Sequence, residues 1–139
     1  MTLVTELAIS RALEEPRLRI LLVEDDPNDA ELVQACLAEA ARSGAEIVHA
    51  GSLAEGLHAL ETQTFQVAVL DLDLPDSFGL ETLDKFGAAA QLPIIVVTGN
   101  SHPALVPEAL KRHAYEVVRK SELDARSLMR ILRLASARA

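Results

Sequence analysis

Acidic residues stand at the ends of the chain's apolar runs, where several could act on one ligand. Ile20-Leu21-Leu22-Val23 gives way to Glu24-Asp25-Asp26, and Val67-Ala68-Val69-Leu70 gives way to Asp71-Leu72-Asp73. A third run, Ile94-Ile95-Val96-Val97, stops at Thr98, and the less apolar Tyr115-Glu116-Val117-Val118-Arg119 stops at Lys120. Runs this short, rich in β-branched residues, read as strands, and the three most apolar as strands buried on both faces. Polar groups placed directly at their ends are not what burial alone would select. In a parallel sheet all these ends share one edge, the crevice where open α/β sheets hold their ligands. Carboxylates gathered there repel one another unless a cation neutralises them. An all-oxygen donor set suits Mg²⁺, which keeps several of its waters. With the Lys120 ammonium and the Thr98 hydroxyl added, the set would bind a phosphoryl group. Asp71, which ends a buried strand and is followed by Pro75 and Gly79, lies at the centre of this chemistry.

The elements that must position these groups alternate along the chain. Pro27 suits the first turn of a helix, with Asp26 or Asn28 as its cap. Ala30, Leu32, Val33, Cys36, Leu37, Ala40 and Ala41 then repeat at helical spacing up to Ser43-Gly44. Ile47-Val48 marks a short strand, and Ser52-Leu53-Ala54-Glu55 is a capping box opening a helix with Leu53, Leu57 and Leu60 on one side. The strand from Phe65 to Leu70 follows, then a weaker helix from Leu80 to about Ala90 that contains Gly87. Helical spacing returns from Ala104 to Arg112, with Pro107 in the first turn. The final helix starts near Ser121, with Asp124 three residues on, and carries Leu123, Leu128, Ile131, Leu132 and Ala135. Met129 and Leu134 point toward its other side. Five strand–helix alternations predict a doubly wound α/β fold, a five-stranded parallel sheet with five helices on its two faces.

Composition limits the alternatives. The chain has 139 residues, enough for one domain with a real core, and its 3% aromatic content makes that core aliphatic. A net charge of −8 without a basic cluster argues against direct nucleic-acid binding. Cys36 is the only cysteine, which excludes an internal disulfide and a thiolate metal cage, and it reads as a small core residue. No apolar stretch reaches membrane-spanning length and no signal peptide is indicated, so the cytoplasm is expected. His49, His58, His102 and His113 fall away from the ends of the buried strands and read as surface residues. Residues 1–16 form an N-terminal arm or leader that Glu14-Glu15-Pro16 closes, and the domain proper covers 17–139.

ILLVEDDPNDAELV, VLDLDLPDSFGLETL, VVTG and RKSEL together resemble the receiver domains of two-component response regulators, of the chemotaxis-receiver kind. The resemblance runs from Arg17 to about Arg133 and rests on the ordered set of motifs. It implies a flavodoxin-like (βα)5 fold. It also implies that Asp71 accepts a phosphoryl group from a sensor histidine kinase or a histidine phosphotransfer protein. In that pattern Asp26 and Asp71 ligate Mg²⁺ directly, Asp25 acts through a bound water, and Asp73 lends its backbone carbonyl. Lys120 pairs with Asp71 and then with the phosphoryl oxygens, and Thr98 donates a hydrogen bond to one of them. The last helix, two-sided through Met129 and Leu134, looks like the start of a signalling helix, and a homodimer through the face of the fourth helix, fifth strand and fifth helix is expected.

Three positions depart from the pattern. Val117 stands where the family has Tyr or Phe, with Tyr115 two residues earlier, on the same face of an ideal strand. Ser121 replaces the proline after the lysine, and His113 replaces a glycine at the end of the fourth helix. Three rival readings compete. A haloacid-dehalogenase-type phosphatase shares the D-x-D of Asp71 and Asp73 but carries it on the first strand, without Leu74-Pro75 following. A pseudo-receiver acting only as an interaction module would have lost acceptor, metal or lysine residues. A nucleotide-binding module would need a Gly-rich phosphate loop.

Overall fold

The computed structural model describes residues 18–100 and 102–137. The expected arm over 1–16 and the start of the domain at Arg17 lie outside the described residues. Five strands form one parallel sheet: β1 (Arg19–Val23), β2 (Glu46–Ala50), β3 (Val67–Leu70), β4 (Ile94–Thr98) and β5 (Ala114–Arg119), in the order β2-β1-β3-β4-β5. The helices are α1 (Pro27–Cys36), α2 (Ala38–Arg42), α3 (Leu53–Thr62), α4 (Leu80–Ala89), α5 (Leu105–Lys111) and α6 (Ala125–Ser136). The described residues thus hold six helices where five were expected, because the first is split at Leu37. The Leu37 N–H is shared between the carbonyls of Val33 and Gln34, so the break is one tightened turn. None of these helices is long and apolar enough to cross a membrane.

Alternation along the strands builds two cores. Leu21, Val23, Ala68, Leu70, Ile94 and Val96 pack with α3, α4 and α5, around the fully buried Leu83 and Phe86. Ile20, Leu22, Val67, Val69, Ile95 and Val97 pack with α1 and α6, and Cys36 is buried among them as expected. Met129 joins this second core, contrary to its expected outward position, while Leu134 is 58% exposed. The last helix also starts later than expected. Lys120–Glu122 form a 3₁₀ turn, and Asp124, accepting from the Ser127 N–H, caps α6.

β5 and the turn before it depart from regular geometry at two places. The β4–β5 register runs Ile94↔Ala114 and then Ile95↔Glu116, so Tyr115 is an extra residue on β5. The insertion inverts the alternation beyond it. Val117 packs into the core with α3, α4 and α5, and Tyr115 into the core with α1 and α6. Tyr115 is therefore on the opposite face from Val117 and does not supply the missing ring.

The second concerns His113, whose ring and Cβ lie against the backbone of Gly87 on α4, so that a Cβ on Gly87 would overlap them. Gly87, unfavourable in a helix by propensity, is what makes room for His113 between α4 and β5. Gly87→Ala is expected to destabilise the fold by about 1–3 kcal/mol through overpacking. Adding His113→Gly should recover most of that loss. Urea unfolding of both variants checks this.

Candidate functional site

Strand register assembles the site. Val23 pairs with Leu70, so the next residues along, Glu24 and Asp71, lie side by side where β1 and β3 end. Both backbones stay in the sheet: Glu24 N–H donates to Ala50 O at 3.0 Å, and Asp71 N–H to Val23 O at 2.9 Å. His49, exposed like the other histidines, reinforces this end, its Nε2 lying 2.6 Å from the Glu24 carbonyl. Glu24 is 1% and Asp71 5% exposed, so both carboxylates have lost most of their water. Their oxygens lie with one of Asp25 in a group spanning at most 4.8 Å.

Lys120 closes the cluster. Its stem passes over Gly99, where a Cβ would lie 3.9 Å from Lys120 Cδ. Its Nζ then lies 3.0 Å from Glu24 Oε2, 3.3 Å from Asp71 Oδ2 and 2.7 Å from Asp29 Oδ2. Burial pushes Glu24 up to about 7, and the neighbouring Asp71 charge adds to this against the opposing bond from Lys120. Burial raises Asp71 as well, with Lys120 opposing it. For Lys120 burial works the other way, but the bonds to Asp29 and Glu24 outweigh it and hold the ammonium above its usual range.

The structure separates residues that the sequence grouped together. Asp26 is not in the cluster. Its Oδ1 accepts the N–H groups of Asn28 (2.8 Å) and Asp29 (3.1 Å), making it the cap of α1 ahead of Pro27. The physical reason is a one-residue frame: Glu24 completes the β1 edge, Asp25 turns, and the cap falls on Asp26. Glu24 and Asp29 were not among the expected site residues. Glu24 was legible as the residue directly following the apolar run, in the same relation that Asp71 has to β3. Thr98, fully buried at the end of β4, accepts the Asn100 N–H at 3.1 Å through Oγ1. Asp73 donates its N–H to Asp71 Oδ1 at 3.3 Å, and its own Oδ1 is buried without a hydrogen-bond partner among the described residues.

The loop after Asp71 is fixed by its own sequence. Leu74 N–H donates to Ser77 O at 2.9 Å, closing a tight turn with Pro75 and Asp76 at its centre. Asp76 reaches across to the first turn of α3, accepting the N–H groups of Leu53 and Ala54, each at 2.9 Å. The buried Thr82 hydroxyl lies 2.7 Å from Leu72 O and 2.8 Å from Ser77 Oγ. Gly79 leads into α4 with φ 65°, a conformation that disfavours any side chain.

A parallel sheet in the order 2-1-3-4-5, with acids and a lysine on its carboxyl edge, defines a flavodoxin-like fold. The chain belongs to the response regulator receiver domain family, whose model matches residues 20–133. It is similar to a crystal structure of a CheY-like receiver domain protein from Methanospirillum hungatei, with TM-score 0.74 and 27% identity, covering 87% of this chain and 94% of that one. Among curated proteins it is 38% identical over 84 residues to the regulatory protein VanRB of Enterococcus faecalis, covering 60% of this chain and 37% of that protein. It is 33% identical over 85 residues to the protein-glutamate methylesterase/protein-glutamine glutaminase of Agrobacterium fabrum, covering 60% of this chain and 24% of that protein. The chain thus spans well under half the length of these two relatives.

The Leu53 and Ala54 N–H groups hold Asp76 below the usual carboxylate range, so its stabilisation is full above the unfolded-state value and fades as pH falls through the lower folded one. Asp76→Ala is expected to cost on the order of 1 kcal/mol at neutral pH, by analogy with other helix-capping residues. The difference from wild type should shrink below about pH 3–4. Urea unfolding at the two pH values checks it.

Proposed function

We propose that this domain accepts a phosphoryl group on Asp71 from a sensor histidine kinase or a histidine phosphotransfer protein, and changes partner contacts as a result. The observation that carries the reading is Asp71 itself. It is buried at the end of β3, beside an ammonium and two further carboxylates, in a chain of the receiver family. An Asp71 oxygen forms the P–O bond, the P–N bond of the phosphohistidine breaks, and the imidazole keeps its electron pair. The Lys120 ammonium pairs with the phosphoryl oxygens. Thr98 Oγ1 uses a lone pair for Asn100 N–H, which leaves its proton to donate to the same group. One transfer per chain, followed by slow hydrolysis, is the chemistry of a switch and not of a turnover enzyme.

The donor set fits Mg²⁺. The gathered oxygens of Glu24, Asp25 and Asp71 match a hard cation, and the partnerless Asp73 Oδ1 is the kind of atom that a metal's water shell satisfies. Asp25 and Asp71 would hold the ion with the Asp73 backbone carbonyl. Glu24 is committed on both oxygens, to Lys120 and to the Asp26 N–H, and Asp26 stays with the cap. When bound, the ion neutralises charge on the transferring phosphoryl group. A cytoplasmic setting goes with such donors. The exposed Leu110 on α5 and Leu134 on α6 support a partner or homodimer contact on the α5–β5–α6 face.

Incubation with Mg²⁺ and phosphoramidate is expected to add the mass of one phosphoryl group to the intact chain. Asp71→Asn and chelation of the metal should each abolish the gain. A chain that gains no mass, or gains it equally as Asp71→Asn, would leave the pseudo-receiver reading in its place. Light scattering before and after phosphorylation checks the homodimer: a monomer in both states removes it.

A further inference from the structure

Asp29 takes no part in the chemistry above, yet it makes the shortest of the three contacts to Lys120. Its Oδ2 lies 2.7 Å from Nζ, against 3.0 Å for Glu24 and 3.3 Å for Asp71. It comes from a different element, the first turn of α1, and its orientation is fixed locally. Pro27 starts the helix, and the Asp26 cap accepts Asp29's own N–H at 3.1 Å. Asp29 is also the most accessible of the three acids, its side chain 36% exposed against 6% for Asp71 and 2% for Glu24.

We propose that Asp29 is a positioning residue for phosphoryl transfer, holding the Lys120 ammonium partly away from Asp71 and releasing it when the phosphoryl group arrives. The inference rests on the receiver reading above. In the unphosphorylated chain Lys120 is divided among three carboxylates, and the positive charge that would draw a phosphoryl donor toward Asp71 is partly spent on Asp29. A phosphoryl group on Asp71 brings nearly two negative charges and three acceptor oxygens, so it outcompetes the single carboxylate of Asp29. Lys120 then moves off α1. Asp29 thus sets the resting state against spontaneous phosphorylation, and its ion pair is a contact between α1 and the turn after β5 that differs between the two states.

The test is the initial rate of phosphorylation by phosphoramidate in excess Mg²⁺, followed by intact mass. In that reaction an Asp71 oxygen forms the P–O bond, the P–N bond of the zwitterionic donor breaks, and ammonia leaves with the electron pair. Asp29→Asn, which keeps the shape and removes the charge, is expected to phosphorylate about 10-fold faster than wild type, ~1.4 kcal/mol off the barrier. Asp29→Ala should show the same acceleration. Asp29→Glu, which restores the charge, should return to the wild-type rate, a rescue that a merely structural role would not produce. Glu31→Gln removes a charge from the exposed side of the same helix and should leave the rate unchanged. Asn and Ala variants no faster than wild type, or a Glu31→Gln variant equally accelerated, overturn the inference while the receiver function stands. A wild-type chain that gains no phosphoryl mass overturns both.

Discussion

Everything at the carboxyl edge of the sheet depends on one ammonium. Glu24 and Asp71 are buried side by side where their charges repel and water is scarce, an arrangement that costs several kcal/mol per ion unless it is compensated. Lys120 supplies the compensation from the turn directly after β5, reaching over the end of the intervening β4. The demand shapes the chain far from the site. β5 must end in register with Thr98, so that the residue after Arg119 is the lysine. The neighbouring acids in turn keep Lys120 charged.

The frame around this edge is anchored on the side of the loop that follows Asp71. Asp76 ties the loop after Asp71 to α3, and Thr82 ties it to α4. Two helices on the same face therefore hold one loop, and β3 can end in a buried carboxylate without the following backbone drifting. On the other side, the Asp29 carboxylate and the Lys120 ammonium meet through an ion pair between their side-chain ends. That division places a partly exposed ion pair next to an anchored loop.

Most of the fold was legible because short aliphatic runs and helical spacing are strong, local signals. Asp71, Thr98 and Lys120 could be placed on one edge by counting to the ends of those runs. What was not legible depended on single-residue offsets. Three acids in succession at 24–26 are equivalent by type, and only the strand register shows that Glu24 faces Asp71 while Asp26 caps a helix. The extra residue at Tyr115 leaves no mark in an apolar-polar pattern that is already irregular, so the side it faces was misread. Asp29 was invisible for another reason: its partner is 91 residues away, and a carboxylate in a first helical turn is ordinary in itself. Met129 was misplaced because a helix with apolar residues on more than one side does not say which side is covered.

The extra residue in β5 has a consequence beyond the face that Tyr115 occupies. β5 is an outermost strand, and a regular outermost strand offers a row of open backbone groups on which a foreign chain can template itself. The irregularity at Tyr115 breaks the spacing of that row, and the charged Glu116 and Arg119 flank it. Uncontrolled sheet growth between copies of the domain is thereby discouraged on this border. Side-chain contacts are favoured there over a backbone ladder, which makes the recognition properties of this border sensitive to point substitution.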